Sequence, residues 1–404
     1  CQTFSATGDP DQVYYKLINS VVEQLTGDTN VKVVVEPIAS HITKFNVKQK
    51  IVDNSWADPV DMTTGAYTDQ VPAMSVTGES PLTLNLNYNS LNASEKGQLG
   101  YGWSHDFEAY LDVKSTVINV HWNPTAYSSF VDERSATRNV NGEIIDGRLV
   151  LHKPNDTGVK NYVCISSGMS EYFMSRDENN IYTLEIPDGQ KYVFDSDGKL
   201  IQIIQPNEKT VTLEHIGNTT VITEDVSGAK LVLNYNDSGL LTSVGDGNGR
   251  ITSITYENDL IKSVTNPLGE TVVYTYDANN RLVTSALDGN SPYVTNTYDE
   301  EGRVLTQDDA DPDTPLSYFS YSESENNEFI VDGIDRNGNT VKYVSDGMGH
   351  LLSVTDQNNN TVKYSYDLKG NLLDETTADG KTTVYTYDDD NNLIKVKDPS
   401  GYVT

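Results

Sequence analysis

Three sets of residues carry side chains that could do chemistry. His105-Asp106 stands beside Trp103, a pairing that invites a catalytic reading. Acidic turns at Asp308-Asp309-Ala310-Asp311-Pro312-Asp313, Asp246-Gly247-Asn248-Gly249 and Asp388-Asp389-Asp390-Asn391 could offer oxygen ligands to calcium. Asp308, Asp309, Asp311 and Asp313 are the candidate ligands, although no turn has the EF-hand spacing with its terminal Glu. Asx-Gly turn chemistry accounts for the same residues without a metal. The third set is tyrosine, 25 residues against 8 Phe and 3 Trp. Exposed tyrosine rings could stack on sugars. Rings at a fixed place in a repeat instead pack as a ladder, each against the next strand. The six His show no metal spacing. No Gly-rich loop enters a helix, so neither a nucleotide nor another cofactor is expected. Cys164 fits a buried, inert thiol.

The elements that must position these residues are mostly strands. One helix is expected at 11–26, where Val13, Tyr14, Leu17, Ile18, Val21, Val22 and Leu25 fall at helical spacing, between Asp9-Pro10 and Gly27. Strands are expected at 31–38 and 47–52. From Asp58 onward the pattern alternates with period two, at Val71–Val76 and then at Leu82, Leu84, Leu86 and Tyr88. Gly97, Gly100 and Gly102 mark a loop around Trp103, with the indole expected beneath Gly100 and Gly102. Further strand-like segments cover Ala109–Trp122, Gly147–His152, Lys160–Ile165 and Glu171–Ser175. Many short strands between Asn, Asp and Gly turns define an all-β chain.

The second half repeats. Tyr235, Tyr256, Tyr276 and Tyr298 stand 21, 20 and 22 residues apart, and Tyr366 and Tyr387 stand 21 apart. Each is followed by a turn and then Leu, Ile or Val, as in Tyr276-Asp277 before Asn280-Arg281-Leu282 and Tyr366-Asp367 before Gly370-Asn371-Leu372. Phe194, His215 and Ser345 fill the same slot in weaker copies, and Tyr321 opens an irregular one without its Gly turn. One unit is two strands and two turns. A lone hairpin is marginal, so about ten units must stack into one twisted sheet that closes or caps its edges.

The bulk numbers agree. A chain of 404 residues exceeds one ordinary core and suits a repeat protein that grows along one axis. Its net charge of −31 excludes sequence-independent nucleic-acid binding and disfavours anionic membranes. No apolar run reaches the roughly 18 residues of a membrane span. Two cysteines, Cys1 and Cys164, make no disulfide framework. Cys1 is either the lipidated residue of a bacterial lipoprotein or the start of an excised fragment.

The Tyr-Asp-x-x-Gly-Asn/Arg-Leu units resemble the YD repeats of bacterial Rhs proteins, toxin-complex cocoons and animal teneurins. An independent stretch resembles the segment that precedes the repeats in Rhs and wall-associated proteins. It comprises Asp58-Pro59-Val60-Asp61-Met62-Thr63-Thr64-Gly65-Ala66-Tyr67, then Leu82 to Ser90, then Leu99-Gly100-Tyr101-Gly102-Trp103-Ser104-His105-Asp106-Phe107. The resemblance implies a coiled β-sheet of stacked hairpins around a cavity, secreted or displayed on a bacterial surface. It divides the chain into 1–57 (helix and strands, from a preceding domain or an end plug), 58–185 (the segment before the repeats) and 186–404 (the repeats, ending inside a unit). It implies a non-catalytic shell whose partners are a C-terminal toxin of the same polypeptide or a delivery apparatus. In that family the His105-Asp106 segment is structural. The alternative is a surface adhesin whose repeats bind a cell-surface glycan.

Overall fold

The computed structural model describes residues 55–56 and 59–404, apart from segments 78–80, 115–116, 125, 133–135, 139–143, 148–159, 167–171, 188, 309–316, 368–369 and 389–392. The helix expected at 11–26 and the strands at 31–38 and 47–52 lie outside the described residues. The helical element among those described is one 3-10 turn, Ser90–Asn92.

The main sheet opens with Tyr110–Val113, Ile118–His121 and Tyr127–Asp132, and continues with Lys160–Cys164. From there each strand pairs antiparallel with the next in sequence, ending at Leu393–Lys397. The segment Ala109–Trp122, expected as strand-like throughout, is two strands of a hairpin. A separate hairpin pairs Ala136–Arg138 with Ile144–Gly147, and the strand expected at Gly147–His152 lies, beyond Gly147, outside the described residues. Among the described residues no ladder joins the first strand to the last. The sheet meets itself instead where Tyr110 bridges Lys199 and Leu111 N–H donates to Gly198 O at 2.8 Å. It is therefore an open, coiled sheet of stacked hairpins.

The unit around Tyr276 shows why these residues fold this way. Thr271–Tyr276 sends Tyr274 and Tyr276 to the inner face and Thr275 outward, where the Thr275 hydroxyl meets Thr284 at 2.6 Å. Asp277 then turns the chain. Its Oδ1 accepts from the backbone N–H of Asn279 at 2.9 Å and of Arg281 at 3.0 Å. Asn280 takes the left-handed conformation, φ +64°, that the turn requires. The return strand starts at Leu282, fully buried opposite Tyr276. Thr275 pairs with Thr284, so Val283 is an extra residue and the ladder bulges there.

That bulge recurs in eight units, at Phe194, Tyr235, Tyr256, Tyr276, Tyr298, Ser345, Tyr366 and Tyr387. A bulge bends its strand and adds local right-handed twist, so a bulge per unit curls the sheet in one sense. The weaker copy at His215 and the irregular unit at Tyr321 have none. In the latter, strands Ser317–Glu323 and Phe329–Ile334 pair without a register shift.

The residue after each Asp turn carries the core. Leu241, Ile261, Leu282 and Val304 are fully buried, and each such side chain contributes about 2 kcal/mol. Leu282→Ala should therefore destabilise by about 3 kcal/mol, since it also leaves a cavity. Asp277→Ala removes two backbone caps and should cost about 1–2 kcal/mol. Urea unfolding of the two variants checks this ranking; an Asp277 variant less stable than the Leu282 variant would contradict it.

Candidate functional site: a strap stitched into the tyrosine ladder

Residues 60–77 and 81–107 run as a strap along the repeats. Thr68–Val76, Leu82–Asn89 and Trp103–His105 form a three-stranded sheet of their own. Strict alternation puts Leu82, Leu84, Leu86 and Tyr88 on its buried side. They join Met62, Leu99 and Trp103 in one apolar core shared with Leu241, Leu282 and Val304 of the repeats.

The strap meets three units at the same point. Leu241 N–H donates to Gln98 O at 2.8 Å, Leu282 N–H to Tyr88 Oη at 2.8 Å, and Val304 N–H to Gly65 O at 2.9 Å. These donors are the first return-strand residues, beside the bulge. Two more stitches are Ser90 Oγ to Gly302 O at 2.8 Å and Lys96 Nζ to Asp259 Oδ2 at 2.8 Å. Gly100, at φ +81°, rests on Asp259; a Cβ there would lie 1.9 Å from the Asp259 carbonyl oxygen. Trp103, expected beneath Gly100 and Gly102, is fully buried. The Gly102 backbone is open to the Tyr88 ring, and the indole packs between Tyr88 and Tyr274, centroids 5.2 and 5.3 Å away.

The carbonyls of the same return-strand residues are satisfied from the other side. Tyr256 Oη donates to Leu241 O at 2.6 Å, Tyr298 Oη to Leu282 O at 2.5 Å, and Tyr321 Oη to Val304 O. In the weaker copy His215 takes the tyrosine's place, its Nε2 lying 2.8 Å from Leu200 O. Tyr276 differs, accepting from Trp103 Nε1 at 3.0 Å. Tyr235 lies against Thr220, Tyr366 stacks on His350 at 4.8 Å, and the Tyr387 hydroxyl is buried. Burial pushes the phenols of Tyr235, Tyr256, Tyr276, Tyr298 and Tyr366 well above the ordinary tyrosine range.

The position before Leu or Val adds a contact that sequence reasoning missed. Arg281 bonds Asp277 at 2.7 Å and lies over the next unit's Tyr298 ring at 5.2 Å. Arg303 bonds Asp299 at 2.6 Å and covers Tyr321 at 4.5 Å. His350 bonds Asp346 at 2.8 Å before stacking on Tyr366. The signal was present as a donor at one slot of each unit: Arg281, Arg303, His350 and Asn371.

His105 and Asp106 do not work as a pair. Asp106 accepts from Asn85 and Asn87 of the neighbouring strand. His105 is buried; its Nδ1 accepts from Phe107 N–H at 3.2 Å and its Nε2 lies 3.1 Å from Gln98 Oε1. Glu108, also buried and unremarked in the sequence, accepts from His105 N–H at 3.2 Å. Burial pulls the His105 imidazole down to about 3 and pushes the Glu108 carboxyl up to about 8. Both are neutral at pH 7.

Of the acidic calcium candidates, Asp308 ends the strand Val304–Asp308, and Asp309, Asp311 and Asp313 lie outside the described residues. Asp246 is engaged by the Asn248 and Arg250 backbone and by the Arg250 side chain. Among the described residues no three His, Cys, Asp or Glu side chains gather to hold a metal. Burial pushes the Cys164 thiol up to about 12. No described helix is long and apolar enough to cross a membrane.

Sheet and strap together define the wall of a coiled β-shell built from Tyr-Asp hairpins. Residues 57–128 match a family described as a domain of unknown function, DUF6531. Residues 256–293, 346–382 and 366–403 match the RHS Repeat family. The chain is 25% identical over 289 residues to double-stranded DNA deaminase toxin A of Burkholderia cenocepacia (strain H111). That match covers 64% of this chain and 18% of the relative, so the chain spans about a fifth of that protein's length. A crystal structure of TcdB2-TccC3-TEV matches at 12% identity and TM-score 0.34, over 83% of this chain and 22% of that one. The Photorhabdus luminescens Tc holotoxin pore matches at 12% and 0.27, over 80% and 22%. The chain thus carries RHS repeats over 256–293 and 346–403 and is similar to Rhs/YD-repeat proteins.

Two predictions follow from the stitching. Tyr298→Phe should lose about 1 kcal/mol in urea unfolding, the worth of one buried hydroxyl bond, with the strand content kept in circular dichroism; an unchanged midpoint would contradict it. The buried pair sets a pH profile. Glu108 is harder to ionise folded than unfolded, so its contribution is full below about 4.5 and is lost as pH rises to about 8. His105 is harder to protonate folded, so its contribution is full above about 6.5 and is lost as pH falls to about 3. The stability difference between wild type and Glu108→Gln should shrink from pH 4.5 to 8 and then level. A difference independent of pH would contradict the assignment.

Proposed function

We propose that residues 58–404 are a shell segment of a secreted or cell-surface bacterial protein that encloses a toxin carried on the same polypeptide. In this reading 58–185 supplies the strap and the first strands, 186–404 supplies the repeat wall, and 1–57 belongs to a preceding domain or an end plug. The segment itself is not an enzyme.

One observation carries the reading. The strap spends its polar groups on backbone amides of successive repeats, and its apolar side joins their core, so the two parts make a single wall. A wall that bends in one sense at most of its units is suited to enclosing a volume. The tyrosines that might have offered sugar platforms turn their hydroxyls into that wall, which disfavours the adhesin as the alternative. The Burkholderia relative is a toxin, and this chain aligns with only a fraction of it, which leaves room in such a protein for a cargo.

Limited proteolysis of the native full-length polypeptide tests the proposal. Residues beyond the repeats should resist protease while the wall is folded, and become cleavable once urea opens it. Digestion at the same rate in both states would contradict encapsulation. A glycan array bearing the present chain should give no signal above background, and saturable binding to one glycan class would favour the adhesin.

A further inference from the structure

Three Asn-Gly pairs stand in the sequence, and Asn141-Gly142 lies outside the described residues. The other two hold the same place in two Asp turns, Asp246-Gly247-Asn248-Gly249-Arg250 and Asp335-Arg336-Asn337-Gly338-Asn339. The turns are capped alike. Asp246 Oδ1 accepts from Asn248 N–H at 2.8 Å and from Arg250 N–H at 3.1 Å. Asp335 Oδ1 accepts from Asn337 N–H and from Asn339 N–H, each at 2.8 Å. Asn248, Gly249, Asn337 and Gly338 are all exposed.

One bond separates the two turns. Gly338 N–H donates to Asp335 O at 3.0 Å, as Gly239 N–H does to Asn236 O and Gly269 N–H to Asn266 O in other units. Among the described residues Gly249 N–H has no such partner. The cause is Gly247. It takes φ +75°, and Gly249 then takes +104°, whereas in the sister turn Gly338 alone is left-handed, at +80°. A second left-handed glycine swings the chain so that the turn does not close. Nothing lies within 4 Å of where a Cβ on Gly249 would stand, so its nitrogen faces open solvent.

We propose that Asn248 is a self-modification site, deamidating through a cyclic imide to isoaspartate. The Gly249 backbone nitrogen loses its proton to solvent hydroxide and attacks Asn248 Cγ. The new N–Cγ bond forms, the Cγ–Nδ2 bond breaks, and ammonia leaves with a proton from water. Water then opens the ring. Attack at the main-chain carbonyl leaves isoaspartate, and attack at Cγ leaves aspartate. One water is consumed and one ammonia released, with no change of oxidation state. At Asn337 the bond from Gly338 N–H to Asp335 must break before the nitrogen is free to react, so the same dipeptide is protected there.

The modified residue falls beside a stitch to the strap. Arg250 holds Asp246 Oδ2 through Nε at 2.8 Å and the strap's Ser75 O through Nη2 at 3.1 Å. Thr252 Oγ1, two residues on, donates to Ala73 O of the same strap strand. Isoaspartate lengthens the main chain of this turn by a methylene and adds a negative charge, so it pulls Arg250 away from Ser75.

Incubation of the full chain in mildly alkaline buffer, followed by peptide mapping in a mass spectrometer, reads both sites in one sample. The Asn248 peptide should deamidate about fivefold faster or more than the Asn337 peptide, the rate equivalent of one hydrogen bond, with isoaspartate among its products. In urea that unfolds the chain the two rates should converge. Arg336→Gly should raise the Asn337 rate toward that of Asn248, and Gly247→Arg should lower the Asn248 rate. If Gly247→Arg does not fold, Arg336→Gly decides. The isoaspartyl fraction, separated by ion exchange on its added charge, should melt below the unmodified chain. Equal rates in the folded chain, a contrast that persists in urea, or an unchanged rate in the folded Arg336→Gly protein would overturn the site. Equal melting temperatures would overturn its link to the strap.

Discussion

Everything in this wall depends on what happens to the backbone beside each bulge. An extra residue in a strand breaks the ladder locally, and a buried amide left unpaired there would cost a large part of the worth of a hydrogen bond. Here the first return-strand residue has both polar groups satisfied from outside its own hairpin. Leu282 gives its N–H to Tyr88 of the strap and its carbonyl accepts from Tyr298 of the next unit. Leu241 and Val304 are served the same way. At these three units the tyrosine ladder lets the sheet bend without leaving a bare carbonyl.

The strap follows from the same requirement. Its glycines are close-approach points: Gly65 offers a carbonyl to Val304, and Gly100 lies where any side chain would strike Asp259. Its buried His105 and Glu108 are both neutral at pH 7, so the strap brings little charge into the core. Arg281 and Arg303 act along the other direction, tying one unit's turn to the next unit's ring. Stability in this part of the chain is therefore shared between neighbours, as in other proteins that grow along one axis.

Much of this was legible in the residues. The spacing of Tyr235, Tyr256, Tyr276 and Tyr298 marked the units, and Asp277 with Asn280 marked the turn, because those side chains have strong local preferences. The missing Gly turn after Tyr321 marked a unit whose hairpin is longer and unbulged. Alternation at Leu82, Leu84, Leu86 and Tyr88 marked a strand with one buried side. Other features depend on contacts between residues far apart in sequence. No local pattern says that Tyr88 will meet Leu282, that Glu108 will be buried uncharged, or that Trp103 will sit between Tyr88 and Tyr274.

Amide hydrogen exchange on the intact chain tests the central claim most directly, because the stitched amides are known one by one. The N–H groups of Leu241, Leu282 and Val304 should exchange as slowly as the ladder amides beside them, and Tyr88→Phe should speed the exchange of Leu282 selectively. If those three amides exchange freely while the ladder stays protected, the strap does not close the bulges and the account fails.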